Sequence, residues 1–228
     1  MYKDETFLAI IPARGGSKRL SRKNILDLNG NPLITYSIEA GLKSQYIDKV
    51  IVSSDDDEIL DVSNRYGVDG LRRPTYLATD TATSFDAIKH TIENLKRYDY
   101  IILLQPTSPL RSSKHIDEAI ELLEEKNADA IISVCEMEHS PLWSNNLDDS
   151  LSMKGFLKDE VLNKRSQDLD IYYRLNGAIY ICKVDRLLEQ KSFFLKDNIF
   201  AYVMDRGNSI DIDEKIDFDF VSLLLKEK

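Results

Sequence analysis

Cysteine is scarce in this 228-residue sequence, which contains two. Cys135 and Cys182 each close an apolar run, so they read as free core thiols rather than a bridge, as reducing conditions would leave them. There is no CxxC pair and no Cys/His cluster, which removes the usual zinc frameworks. Long hydrophobic runs are missing too. The longest falls far short of the roughly 20 apolar residues that a membrane-spanning helix needs. Charged residues precede the first short apolar run, unlike a secretory leader. These features predict a cytoplasmic protein with no membrane partner. Histidine numbers three, none in a Ser-His-Asp arrangement, and no residue stands out as a general base. Basic residues are outnumbered 30 to 39 by acidic ones, for a net charge of -9, which argues against non-specific nucleic-acid binding. Internal repeats and low-complexity tracts are absent.

What is present is a rhythm of short apolar runs followed by amphipathic stretches. Phe7 to Pro12, Lys49 to Ser54, Tyr100 to Gln105 and Ala130 to Cys135 read as buried strands. Between them, Pro32 to Ser44, Asp56 to Tyr66 and Thr83 to Arg97 read as helices, as does the segment in which Ile116, Ala119, Ile120 and Leu123 recur at helical spacing. Residues 136–176 break the rhythm: they are polar, hold the only Trp and show no period, as a lid, binding lobe or assembly arm would. Alternation resumes at Gly177 to Cys182, and the chain closes with a strand, Phe200 to Met204, and a helix from about Glu214. The pattern predicts an α/β fold with a mostly parallel sheet and helices on both faces. Ligands of such sheets bind beyond the carboxyl ends of the strands. The loops after Pro12, Ser54 and Gln105 all leave strands at that edge, so they predict one shared site.

Against the acidic background, Arg14, Lys18, Arg19, Arg22 and Lys23 crowd one window with no acid among them. Gly15 and Gly16 sit within it, directly after a buried strand. Glycines allow close approach of backbone to ligand, and amides beside Arg and Lys suit phosphate oxygens. The loop is neither a Walker A nor a GxGxxG sequence, so its motif names no fold by itself. In the tail, Asp211 and Asp213 are two residues apart and face the same way on an extended stretch. Two such carboxylates suit Mg2+, or cap the following helix; spacing alone leaves both readings open. In LLQPTSPLR, prolines fix a loop in which Gln105 and Arg111 are placed to read polar ligand groups.

The segments PARGGSKRLSRKN, VSSDD, RRPTYLATDTATS, LLQPTSPLRSS, CEMEHSP, RLNGAIYI, SFFL and SIDIDE occur here in one order. Together they make the chain similar, over nearly its whole length, to bacterial CMP-sialic acid synthetases (N-acylneuraminate cytidylyltransferases). The resemblance implies a Rossmann-like nucleotide-binding domain over residues 1–136 and 177–228. It also implies a dimerisation arm over 137–176 that contributes to the sugar pocket of a homodimer with a shared site. It implies that Arg14, Gly15, Ser17, Lys23, Asn24, Arg73 and Ser84 bind CTP, with Lys23 and Arg14 stabilising charge on the α-phosphate. Gln105, Arg165, Asn176 and Tyr180 would face the acidic nine-carbon sugar, Arg165 pairing with its carboxylate, and Arg111, read from its loop, is placed with them. Phe193 and Phe194 would be an aromatic pair supplied by the partner, and Asp211 and Asp213 the Mg2+ ligands. The least family-like stretch is Asn145 to Lys164.

The implied reaction moves CMP from CTP to the anomeric hydroxyl of N-acetylneuraminate and releases pyrophosphate. Its rivals are the same transfer to legionaminic acid, pseudaminic acid or Kdo, since near-isosteres differ by only about 1–3 kcal/mol per group. A non-catalytic nucleotide-binding protein would need neither the basic loop nor the paired aspartates. A sugar-1-phosphate nucleotidyltransferase would need cations for a sugar phosphate.

Overall fold

A computed structural model describes residues 4–17, 19–79 and 82–227; Lys18 of the basic loop lies outside them. Strand β1 (Phe7–Pro12) shows why the sheet forms where it does. Its five residues Phe7 to Ile11 are all buried, and the side chains alternate between two cores. Phe7, Ala9 and Ile11 join the cluster that includes Ile34, Ile38, Ile59 and Ile120. Leu8 and Ile10 join the one that includes Ile88 and Leu187. A run buried on both faces is the signature of a strand covered by helices on either side.

The remaining elements are, in chain order, β2 (Asp27–Leu28), β3 (Asn31–Pro32), α1 (Leu33–Leu42), β4 (Lys49–Ser54), α2 (Asp57–Arg65), β5 (Asp69–Arg72), α3 (Ser84–Glu93), β6 (Tyr100–Leu103), α4 (Ser113–Glu125), β7 (Ala130–Glu136), β8 (Tyr173–Lys183), α5 (Val184–Gln190), β9 (Ile199–Met204) and α6 (Lys215–Lys226), with short 3-10 turns between. Seven strands make one sheet in the order β5-β4-β1-β6-β8-β7-β9, and β2 with β3 forms a small hairpin. β5, β4, β1 and β6 pair in parallel, as do β7 and β9; β8 alone runs antiparallel to its neighbours. The mostly parallel sheet expected from the sequence is therefore the observed one, with a single reversed strand inside it.

Helix starts follow local chemistry. Asp56 accepts the Ile59 amide ahead of α2, and Thr83 with Asp86 closes a reciprocal capping box on α3. Each satisfies amides that the first turn leaves unpaired. Glu214 with Asp217 does the same for α6.

β8 carries the one large irregularity. Its register against β7 jumps from Ile132↔Tyr180 to Val134↔Leu175, so the segment 176–179 bulges opposite Ser133. Gly177 sits in the bulge at φ +73°, where a side chain would be strained. Ser133 Oγ fills the gap, donating to Asn176 Oδ1 at 2.6 Å and accepting from the Ile179 amide at 2.8 Å. Between β7 and β8, residues 137–172 hold only short 3-10 turns.

Candidate active site

The loops after β1, β5 and β6 meet, as parallel topology requires, beyond the carboxyl edge of the sheet. Together with the start of α3 and the tail before α6 they enclose a cavity of about 580 Å3. Arg14, Ser17, Lys23, Asn24, Arg73, Ser84, Gln105 and Asp213 all line it. Ser84 is the first residue of α3, so that helix presents its positive end there.

The basic loop is held by acids from elsewhere in the chain. The Gly15 amide donates to Asp55 Oδ1 at 3.1 Å, and a Cβ on Gly15 would come within 2.5 Å of Asp56 Oδ2. Gly15 is thus required by packing on the start of α2, and its amide is already used within the protein; Gly16 has open space around it. Arg22, at φ +51°, forks onto Asp56 at 3.0 and 3.2 Å and reaches Glu58 at 2.7 Å. Asn24 is buried and donates to the Arg14 carbonyl at 3.0 Å.

Lys23 and the tail come together as the sequence reading requires. Lys23 Nζ donates to the Ile212 carbonyl at 2.6 Å and lies 3.3 Å from Asp213 Oδ1. Arg19 meets the other oxygen of the same carboxylate at 2.9 Å. Asp213 therefore directs its side chain to cations, while Glu214 and Asp217 cap α6. Ile212, between the two aspartates, is wholly buried and donates its amide to the Thr107 carbonyl at 2.8 Å, which locks the tail onto the loop after β6. Asp211 is inside. Burial pushes its carboxyl above the ordinary value, against a Thr107 hydrogen bond, while Asp213 adds to the rise. Its Oδ1 is buried with no partner among the described residues.

Arg73 is 6% exposed, with Asp55 no closer than 3.9 Å and its Nε buried without a partner among the described residues. Burial lowers its pKa from the usual arginine value; Asp55 opposes that and Arg14 reinforces it. A buried guanidinium with so little compensating charge, on the wall it shares with Arg14, makes a place for a polyanion.

Several expected sugar contacts lie elsewhere. Asn176 is 1% exposed, and its amide is consumed by the bulge: Oδ1 accepts from Ser133 and the Ala178 amide, and Nδ2 donates to Ser209 Oγ at 3.0 Å. It shapes β8 instead of facing the cavity. Arg111 is 2% exposed and bonds to backbone carbonyls, so it sits behind the wall it was expected to form. Arg165 is on the arm surface, forked onto Asp168 at 2.9 and 3.2 Å. Tyr180 contacts Phe193 and Phe194 edge-on, with ring centroids 5.8 and 6.4 Å apart, so the aromatic pair already lies against Tyr180 of its own chain. Gly177 is a position the sequence reading missed. A Cβ there would stand 3.4 Å from Gln105 Oε1 and 3.7 Å from Asp211 Oδ2. A glycine inside a strand pattern was the available signal.

No three His, Cys, Asp or Glu side chains converge on a metal position among the described residues. The Asp211–Asp213 pair suits Mg2+ nonetheless. That ion commonly takes one or two carboxylates and completes its shell with water and substrate phosphates, and Asp211 Oδ1 is an unused hard oxygen.

A cytidylyltransferase family profile matches residues 8–212. The chain is 39% identical over 222 residues to the N-acylneuraminate cytidylyltransferase of Escherichia coli O18:K1:H7, covering 97% of this chain and 52% of that protein. It is 35% identical over 233 residues to the CMP-N,N'-diacetyllegionaminic acid synthase of Legionella pneumophila, covering 96% of both. The chain thus spans about half the length of the first relative and nearly all of the second. Among solved structures, CMP:2-keto-3-deoxy-manno-octonic acid synthetase complexed with CTP superposes with a TM-score of 0.75 at 18% identity, covering 97% of this chain and 99% of that one. That likeness establishes the fold.

Proposed function

This chain belongs to the cytidylyltransferase family, and we propose that it transfers CMP from CTP to the anomeric hydroxyl of N-acetylneuraminate, releasing pyrophosphate. The observation that carries this reading is the cavity wall on which Arg14 and the under-compensated Arg73 face Lys23 and the tail acid Asp213. Such a wall suits a triphosphate held by charge and open at its α-phosphorus.

In the proposed reaction the sugar hydroxyl attacks the α-phosphorus in line, losing its proton to solvent as the new P–O bond forms and the bond to pyrophosphate breaks. The protein supplies position and charge. Arg14, Ser17, Asn24, Arg73 and Ser84 hold the nucleotide, and Lys23 stabilises charge growing on the α-phosphate. Asp211 and Asp213 would hold Mg2+, which when bound neutralises triphosphate charge and orients the leaving group. Gln105, Tyr180, Phe193 and Phe194 form the acceptor side. Arg165 would pair with the sugar carboxylate from the arm of a partner copy, in a homodimer. The free thiols of Cys135 and Cys182 are consistent with the cytoplasm, and no helix among the described residues is long and apolar enough to cross a membrane.

A second acceptor deserves equal testing, because the legionaminic-acid relative matches end to end whereas the sialic-acid relative is about twice as long. The test is pyrophosphate release on mixing the protein with CTP, Mg2+ and each of N-acetylneuraminate, legionaminic acid, pseudaminic acid and Kdo. The proposal expects N-acetylneuraminate to give the largest kcat/KM. Greater turnover of another acid would reassign the acceptor, and silence with all four would remove the activity.

A further inference from the structure

Arg111 is among the largest wholly buried side chains of the molecule. Among the described residues it makes no ion pair, and burial pushes its pKa down to about 9. Burying a cation without a counter-charge is costly, so its hydrogen bonds should explain its presence. They run to two places on the site. Nε donates to the Ala178 carbonyl at 3.1 Å, inside the β8 bulge. A terminal nitrogen donates to the Gln105 carbonyl at 3.3 Å and to Ser37 Oγ at 2.6 Å.

The Gln105 carbonyl is a hub. Besides Arg111 it accepts from Ser37 Oγ at 3.1 Å and from the Ser108 amide at 3.3 Å. Three donors thus converge on an oxygen with two lone pairs. Gln105 also lines the cavity, and its Oε1 faces Gly177, one residue before Ala178. The guanidinium therefore ties the end of β6 to the bulge, and the two segments it joins are those that meet at Gln105 Oε1. A planar fork can span two such carbonyls where an ammonium cannot.

We propose that Arg111 is a positioning residue: from behind the cavity it holds the Gln105 and Ala178 carbonyls in one frame and so sets the direction of the Gln105 side chain toward the acceptor. This rests on the reading above that Gln105 faces the sugar.

The test crosses Arg111→Lys and Ser37→Ala, singly, with Gln105→Ala. Loss of a directed contact predicts that Arg111→Lys raises the KM for the acceptor about tenfold and the KM for CTP less than about twofold. Ser37→Ala should act the same way more weakly. In the Gln105→Ala background both effects should shrink to near nothing, since residues acting through one side chain are not additive. Should Arg111→Lys fail to fold, the Ser37→Ala cycle gives the same reading. Additive effects, or equal effects on CTP and acceptor, would overturn the proposal. Silence of the wild type with every acidic sugar would count against the proposed acceptor alone. The strut is then read from the Gln105 side-chain amide NMR resonance, assigned by its loss in Gln105→Ala. That resonance should shift or broaden in Arg111→Lys and Ser37→Ala, and an unmoved one would sink the proposal.

Discussion

At the residue scale the decisive feature is the competition for Asp213. In the free protein this carboxylate is the counter-ion of both Lys23 and Arg19, the cations that a triphosphate would use. A divalent ion taking Asp213 would leave both free for phosphate, so metal and nucleotide should bind with positive coupling. Asp213→Asn then has opposite expected effects on two measurements. With EDTA present, calorimetry should find CTP bound more tightly than by the wild type, because the competing acid is gone. With Mg2+ present, the gain on adding metal should be smaller than the wild type's. Weaker metal-free binding in the variant would show that Asp213 supports the phosphates instead of competing with them. Lys23 is the simpler case. Lys23→Ala should lower kcat by about two to three orders of magnitude, as loss of one transition-state donor does, with an unchanged circular dichroism spectrum. Near-normal turnover would remove it from the chemistry.

At the scale of elements, the strands buried on both faces were legible because an apolar run admits no other environment. β1, β4 and β6 begin where the sequence reading put them. β5, the four residues Asp69–Arg72, was not legible: it is a polar edge strand with no buried residue, and only its pairing with β4 makes it a strand. The start of β8 was missed for a related reason. Residues 173–175 are exposed or half-exposed, so the strand looked as if it began at Gly177, which is in fact its bulge. The site divides the same way. Arg14, Lys23, Arg73 and Asp213 could be gathered by motif, whereas the inward turn of Asn176 and Arg111 depends on Ser133, Ser37 and Ala178, contacts that only the folded register creates.

The arm's attachment to the sheet gives a pH prediction. Arg174 on β8 forks onto Glu138 at 3.0 and 3.3 Å and holds that carboxyl down at about 2. A carboxyl with a depressed folded pKa contributes stability above its unfolded value of 4.5 and loses it as pH falls toward about 2. In thermal melts Glu138→Gln should therefore be less stable than the wild type at pH 7, and the gap should close between those two values. A gap that is flat across that window would mean the pair contributes by shape alone.

At the scale of the whole molecule, the proposed homodimer makes a prediction about the surface of residues 137–172. Residues 137–172 carry Leu147, Leu151, Met153, Leu162 and Ile171 at 50–70% exposure, so the segment has apolar side chains and too little of its own core to bury them. Arg165, on the same segment, is spent on Asp168 at the surface, away from the cavity it would serve. Both facts fit one arrangement, in which a second copy covers the apolar side chains and receives Arg165 at its acceptor side. A stable interface of that kind buries about 800 Å2 per partner, and breaking its apolar centre should separate the subunits. Sedimentation velocity should find the wild type dimeric at micromolar concentration and the double variant Leu151→Asp, Met153→Asp monomeric. CTP should still bind the monomer, because the nucleotide wall lies within one chain, while the acceptor KM should rise steeply because Arg165 no longer arrives. A wild type that sediments as a monomer at full turnover would leave the exposed leucines without a role and would return the acceptor carboxylate to a cation of the same chain.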